Sequence, residues 1–146
     1  MELTLEKQIN CPVSSVYKAF TDAAVLSQWF TSNAKVDLRV GGRYSNDDND
    51  EGKYLEIQPN KLVKFTWDNK NYCPGTEVSV FFNGGDKTTD VTLIHHNLAT
   101  EKHVNSMKSG WTWALANVKL YLEEGKKIGY EEWLKTISNE QLAMNN

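Results

Sequence analysis

No run of basic residues stands out in this chain, and its 16 Lys and Arg are outnumbered by 19 Asp and Glu. The electrostatic footprint of a nucleic-acid binder is therefore missing. No apolar stretch approaches the roughly 18–20 residues that a membrane span needs. The first residues, MELTLEKQIN, alternate polar and apolar types from the start, unlike the apolar segment of a signal peptide. A cytoplasmic location, with no nucleic-acid or membrane partner, is the expectation. Cysteine is scarce: Cys11 and Cys73 lie far apart and outside any CxxC pair. Two free thiols are expected, and neither sits in a motif that would make it a nucleophile.

Signature motifs of catalysis are missing too. There is no GlyxSerxGly elbow and no HisGluxxHis pair. Residues 40–57, VGGRYSNDDNDEGKYLEI, combine glycines with carboxylates and amides. A phosphate-cradling loop would need GlyLysSer or GlyLysThr opening a helix, and neither occurs. An EF-hand calcium loop would need carboxylates at alternate positions, a glycine at position six and a glutamate at twelve, between two helices. Asp47, Asp48, Asn49, Asp50 and Glu51 do not follow that pattern and read as a solvated hairpin tip. His95, His96 and His103 invite a metal reading. Adjacent residues of a strand point to opposite faces, however, so His95 and His96 are poorly placed to chelate together. No metal, cofactor or catalytic residue is assigned.

What the chain has in plenty is aromatic surface: five Trp, six Tyr and five Phe among 146 residues. Trp and Tyr carry polar tips that need partners, which favours cores with polar patches and ligand pockets. Leu3, Leu5 and Ile9 alternate with polar residues, the period of a half-buried strand. Pro12 ends it, and Ser14 or Ser15 is placed to cap a helix running to about Phe20. Asp22 caps a second short helix over 23–30. From 34 to 97 the period of two returns, with Val36, Leu38 and Val40, then Tyr54–Ile57, Leu62–Trp67, Val78–Phe82 and Val91–Ile94. Six strands are counted here and seven in all, joined by short links in an antiparallel meander. AsnGlyGlyAsp at 83–86 marks a hairpin. From about residue 103, Met107, Trp111, Leu115, Val118 and Leu122 form one helical stripe, with Gly125 as C-cap. Lys108, Asn117, Lys119 and Glu123 fall mostly off that stripe. A further short helix from 130 is expected to pack back through Trp133, Leu134 and Ile137.

This order of elements resembles the helix-grip fold of the START-like (SRPBCC, Bet v 1-like) superfamily. Within it the chain is similar to the homologues of the activator of heat-shock-protein-90 ATPase. The resemblance rests on Ile9–Pro12 with Val16 and Ala19–Phe20, Thr21–Asp22, and Gln28–Trp29–Phe30. Asp37–Tyr44 follows, then Gly52 with Glu56–Ile57 and Pro59, and finally Gly110–Trp111 before Leu115, Leu122 and Gly125. It implies an α+β domain in which a curved seven-stranded antiparallel sheet wraps a long C-terminal helix, beside two short helices. One START-like domain over 1–146 is expected, with its core at about 3–125 and a C-terminal extension at 126–146. Eukaryotic activators carry a separate domain before this one, whereas this chain opens on its first strand; that difference is expected to weigh against co-chaperone activity.

The resemblance also implies a pocket between sheet and helix. Trp29 and Phe30 are placed near one mouth, and Tyr54, Phe65, Trp67 and Phe81 along the wall, depending on strand phase. Met107, Trp111, Leu115 and Val118 supply the helix face. Whichever of His95 and His96 faces the interior, His95 being the one placed at the ligand, is read first as a satisfied structural histidine and otherwise as a group that orients a polar part of the ligand or acts as a base. An unfilled void costs roughly 24 cal/mol per Å3, so ~300 Å3 would cost about 7 kcal/mol. That is comparable with a total stability of about 5–15 kcal/mol. A small or narrow pocket is therefore expected. Gly110, which costs a helix about 1 kcal/mol relative to Ala, marks either a close approach or a frayed helix start. The expected function is binding of a small apolar or amphipathic molecule by a monomer or homodimer. A chaperone-associated interaction domain in the stress response and a cyclase- or hydrolase-like enzyme are the alternatives.

Overall fold

The computed structural model describes residues 1–145, with side chains through residue 137. Alternating burial makes β1 (Leu3–Ile9) a strand with Leu3 and Ile9 buried. Pro12 precedes α1 (Val13–Thr21), and no side chain caps that end. The expected serine cap is thus corrected: the proline ring fixes φ and turns the chain into the helix, leaving both serines inside the first turn. Asp22 does cap α2 (Ala23–Trp29), its Oδ2 accepting the Val25 N–H at 3.0 Å.

Six further strands follow: β2 (Lys35–Val36), β3 (Arg43–Ser45), β4 (Glu51–Gln58), β5 (Leu62–Trp67), β6 (Thr76–Gly84) and β7 (Thr89–His96). They form one curved antiparallel sheet in the order β1-β7-β6-β5-β4-β3-β2, so only the first strand pairs out of sequence. The strand expected over 36–40 is shorter than its alternation implied. Arg39 N–H donates to the Asp37 carbonyl and Gly42 N–H to that of Arg39, which coils the segment into turns. Val40 is left 68% exposed. Alternating residues with no strand to pair against have no ladder to hold them extended. At Gly52 a Cβ would collide with the backbone carbonyl of Thr66, so close strand contact demands glycine there.

Thr100 caps α3 (Glu101–Glu124), its hydroxyl accepting the His103 N–H at 3.1 Å. Gly125 closes the helix in the left-handed conformation, φ 67°. Met107, Trp111, Leu115 and Val118 are buried in a core with Ile9 from β1, Val80 from β6 and Val91 and Leu93 from β7. Full burial of each such aliphatic side chain contributes roughly 1.5–3 kcal/mol. The α1 rings of Tyr17 and Phe20 meet Phe82 edge-on at 5.4 and 5.6 Å, tying the short helices to β6. Next comes α4 (Tyr130–Asn145), which touches α3 through Tyr130. Trp133, Leu134 and Ile137 are half-buried, and none of them joins the core cluster. No helix among the described residues is long and apolar enough to cross a membrane.

Candidate functional site

The long helix presents two stripes. Beside the buried one, Ser106, Gly110, Trp113 and Asn117 recur at i, i+4, i+7 and i+11, and all four line a cleft. That cleft measures about 800 Å3 and opens to solvent. Its walls are the end of α2 (Trp29, Phe30), the tip of the β3–β4 hairpin (Asp48, Asp50), and the end of β5 with its following loop (Trp67, Asn69, Tyr72). A strap joining α3 to α4 completes it with Lys127, Ile128 and Gly129, together with Tyr130. A narrower recess of about 60 Å3 adjoins it, lined among others by Phe20, Val36, Tyr44, Tyr54 and Phe65. Trp29, Phe30, Trp67 and Trp111 line both spaces.

The expectation of a small pocket fails because the void penalty applies only to sealed, dry space. Open to solvent, the main cleft fills with water at little cost. Gly110 helps to keep it open: a Cβ there would meet no atom within 4 Å. It lies nine residues into α3, so neither close approach nor fraying accounts for it.

Ring contacts set the aromatic wall. The planes of Phe30 and Trp111 lie 3° apart at 6.1 Å, Phe30 and Trp113 stack at 6.2 Å, and Trp67 tilts against Trp111 at 5.1 Å. Each indole N–H of this wall has a partner, as a buried Trp requires. Trp29 donates to the Ala19 carbonyl at 2.9 Å, Trp67 to that of Tyr72 at 2.9 Å and Trp113 to that of Ile128 at 2.8 Å. Asn117 is buried on this second stripe, where sequence spacing had put it off the apolar face. It donates to the Trp29 carbonyl at 2.6 Å and accepts the Ile128 N–H at 2.8 Å, joining α2, α3 and the strap.

Two buried polar groups differ in their relation to the cleft. His95 is fully buried behind Trp111. The Trp111 N–H donates to its Nδ1 at 3.0 Å, so Nε2 carries the proton and donates to Thr76 Oγ1 at 2.7 Å; that hydroxyl donates to the Cys73 carbonyl. Burial, helped by His96, lowers its pKa to about 4 and keeps it neutral. Asp50 is only 5% exposed but lines the cleft. Its carboxylate accepts from Asn69 at 2.7 Å and Asn46 at 3.0 Å. Burial pushes its pKa up, against the lowering effect of those two bonds. The hairpin tip is therefore not simply solvated, because Asn46, Asp50 and Asn69 pin it to the loop after β5. Among the described residues, no three His, Cys, Asp or Glu side chains gather as a metal would require.

Of the residues expected at a ligand, Trp29, Phe30, Trp67, Met107 and Trp111 come together on the main cleft, and Tyr54 and Phe65 on the recess. Four do not. Leu115 and Val118 are core residues that line neither space. His95 is walled off by Trp111 and bonded through both ring nitrogens, the satisfied structural histidine of the two readings. Phe81 sits on the outer face, 39% exposed, because the strand phase of β6 turns Phe82 inward instead. Trp113, Asn117 and Asp50 were missed; the spacing 106–110–113–117 was the available signal, but Ser, Gly and Asn do not read as a stripe.

The family described as activator of Hsp90 ATPase homolog 1-like protein matches residues 10–123. This chain belongs to that family. No curated protein sequence matches it. An HSP90 activator from Plasmodium falciparum is 27% identical, with a TM-score of 0.74 over 84% of this chain and 96% of that one. Two further solved structures share the fold. CalU16 from Micromonospora echinospora is 24% identical, with a TM-score of 0.75 over 84% of this chain and 74% of its own. The Aha1 dimer from Colwellia psychrerythraea is 23% identical, with a TM-score of 0.77 over 86% of this chain and 98% of its own.

Proposed function

We propose that this member of the family binds a small apolar or amphipathic molecule in the cleft between the sheet and α3. The observation that carries this reading is the cleft itself: about 800 Å3, walled by Trp29, Phe30, Trp67, Trp111 and Trp113. Ligand pockets generally span ~300–1,000 Å3 and combine apolar walls with a few polar groups, here Asp50, Asn69 and Asn117. Native mass spectrometry of protein purified from its source is expected to show a bound mass. A thermal-shift screen of fatty acids and aromatic compounds is expected to return stabilising hits. Those hits vanish in Gly110→Leu, whose side chain enters open space and leaves the core untouched. No bound mass and no stabilising compound would overturn the reading. Trp111→Ala is the less clean variant, because Trp111 also holds His95.

A second reading, a chaperone-associated interaction domain, has one surface feature in its favour. The loop at 37–42 exposes Leu38 and Val40 beside Arg39. That reading expects the purified chain to raise the ATPase rate of a heat-shock-protein-90 and Val40→Asp to abolish the effect. An unchanged rate at saturating chain ends it.

A further inference from the structure

The lining of the cleft is uneven in charge. Asp48 and Asp50 belong to the hairpin tip, and among the described residues Lys127, exposed on the strap, is the one cation of the lining. Asp50 is buried, yet among the described residues no Lys, Arg or His lies within ion-pair distance of it. Its two partners, Asn46 and Asn69, are neutral amides. A carboxylate offers about four acceptor sites, so two remain open. Holding the tip in place requires acceptors but no net charge, and the two amides leave the charge itself uncompensated. Such a charge is costly in a low-dielectric setting until a cation reaches it.

The ring wall has the same preference for an independent reason. Aromatic faces carry negative quadrupole potential and attract ammonium groups within about 6 Å. Phe30, Trp67, Trp111 and Trp113 lie together on the cleft, in mutual contact through Phe30 and Trp111. A carboxylate guest would be repelled by Asp50, and a neutral one would gain no ion pair. A protonated amine gains from both the carboxylate and the rings.

We infer that the cleft selects an amphipathic amine, with its ammonium on Asp50 and its apolar part against the aromatic wall. This rests on the reading that the cleft binds a small molecule, and adds the charge of that molecule. The test is isothermal titration of the full chain at pH 7 with three probes that share a naphthalene ring: 2-naphthylmethylamine, 2-naphthalenemethanol and 2-naphthoate. The amine is expected to bind at least about tenfold tighter than the alcohol, and the acid weakest, as charge-assisted contacts exceed neutral ones. Asp50→Asn brings the amine down to the affinity of the alcohol. Should that variant lose the hairpin tip, the side-chain amide signals of Asn46 and Asn69 in the native chain serve instead: they shift with the amine and not with the alcohol. Equal binding of amine and alcohol, tighter binding of the acid, or amide signals that ignore the amine each overturn the inference. Failure of all three probes overturns it as well, whereas the wider reading stands or falls on the thermal-shift screen.

Discussion

One helix meets two different interiors. Along Leu115 and Val118, α3 packs on aliphatic side chains of β1, β6 and β7, and Val91, Leu93 and Val118 keep no exposed surface; Met107 and Trp111 stand at the border, buried in the core and lining the cleft. Along Ser106, Gly110, Trp113 and Asn117, about a third of a turn away, it faces an open cleft. Aliphatic side chains interdigitate to near-crystalline density and leave no room. Indoles and amides hold their places by directed hydrogen bonds, which fix geometry without filling volume. Glycine then leaves the remaining space vacant. Stability is thus concentrated on one side of the helix and recognition on the other, and this division can be broken from either side.

The largest effect belongs to the dry side. Leu93→Ala is expected to cost about 2–5 kcal/mol, read from urea denaturation, because the packed core cannot collapse around the cavity. Cleft binding in the surviving folded protein should change little.

Next comes the histidine behind the partition. The His95 pKa is lowered to about 4 in the folded chain, so between pH 6.5 and 4 only the unfolded chain takes up its proton. Stability therefore falls as pH falls through that window and levels off below it. At about 1.36 kcal/mol per pH unit, the loss reaches about 3 kcal/mol near pH 4. Asp50, whose pKa is raised, acts in the opposite sense. Comparison with His95→Gln by urea denaturation at pH 7 and pH 4.5 isolates the histidine; an identical pH slope in the two proteins would remove it from this account.

On the wet side, Asn117→Ala strands the Trp29 carbonyl and the Ile128 N–H, at a cost of about 1–3 kcal/mol. Faster amide exchange at Ile128, measured by NMR, is the local signature. The smallest effect has the opposite sign. Gly110→Ala should stabilise α3 by about 1 kcal/mol and raise Tm, since its methyl meets nothing. Destabilisation there would show that the helix, and not the cleft, requires the glycine.

The fold was legible because its signals are periodic and local. Alternation in β1, the cap at Asp22, the stripe from Met107 to Val118 and the stop at Gly125 each follow from neighbours a few residues apart. The segment at 36–40 misled because alternation records which residues face inward once a strand is paired, and this one lacks a partner beyond Val36. The site was half legible. Trp29, Phe30, Trp67 and Trp111 were identifiable as large rings near a helix–sheet seam. Phe81 could not be told from Phe82, since a phase shift of one residue reverses the face. Asp50 and Asn117 were invisible, because Asn69 and Trp29, the partners that tie them to other walls of the cleft, lie 19 and 88 residues away.

By itself, then, the sequence determined the succession of elements, the buried face of the long helix and the family. Those depend on contacts between near neighbours and on an ordered set of residues. Only the tertiary structure decided that the interior is divided. Which side of α3 closes on aliphatic side chains and which stays open depends on where a hairpin tip, a strap and the end of α2 meet. Those are three segments whose mutual distance no local pattern encodes.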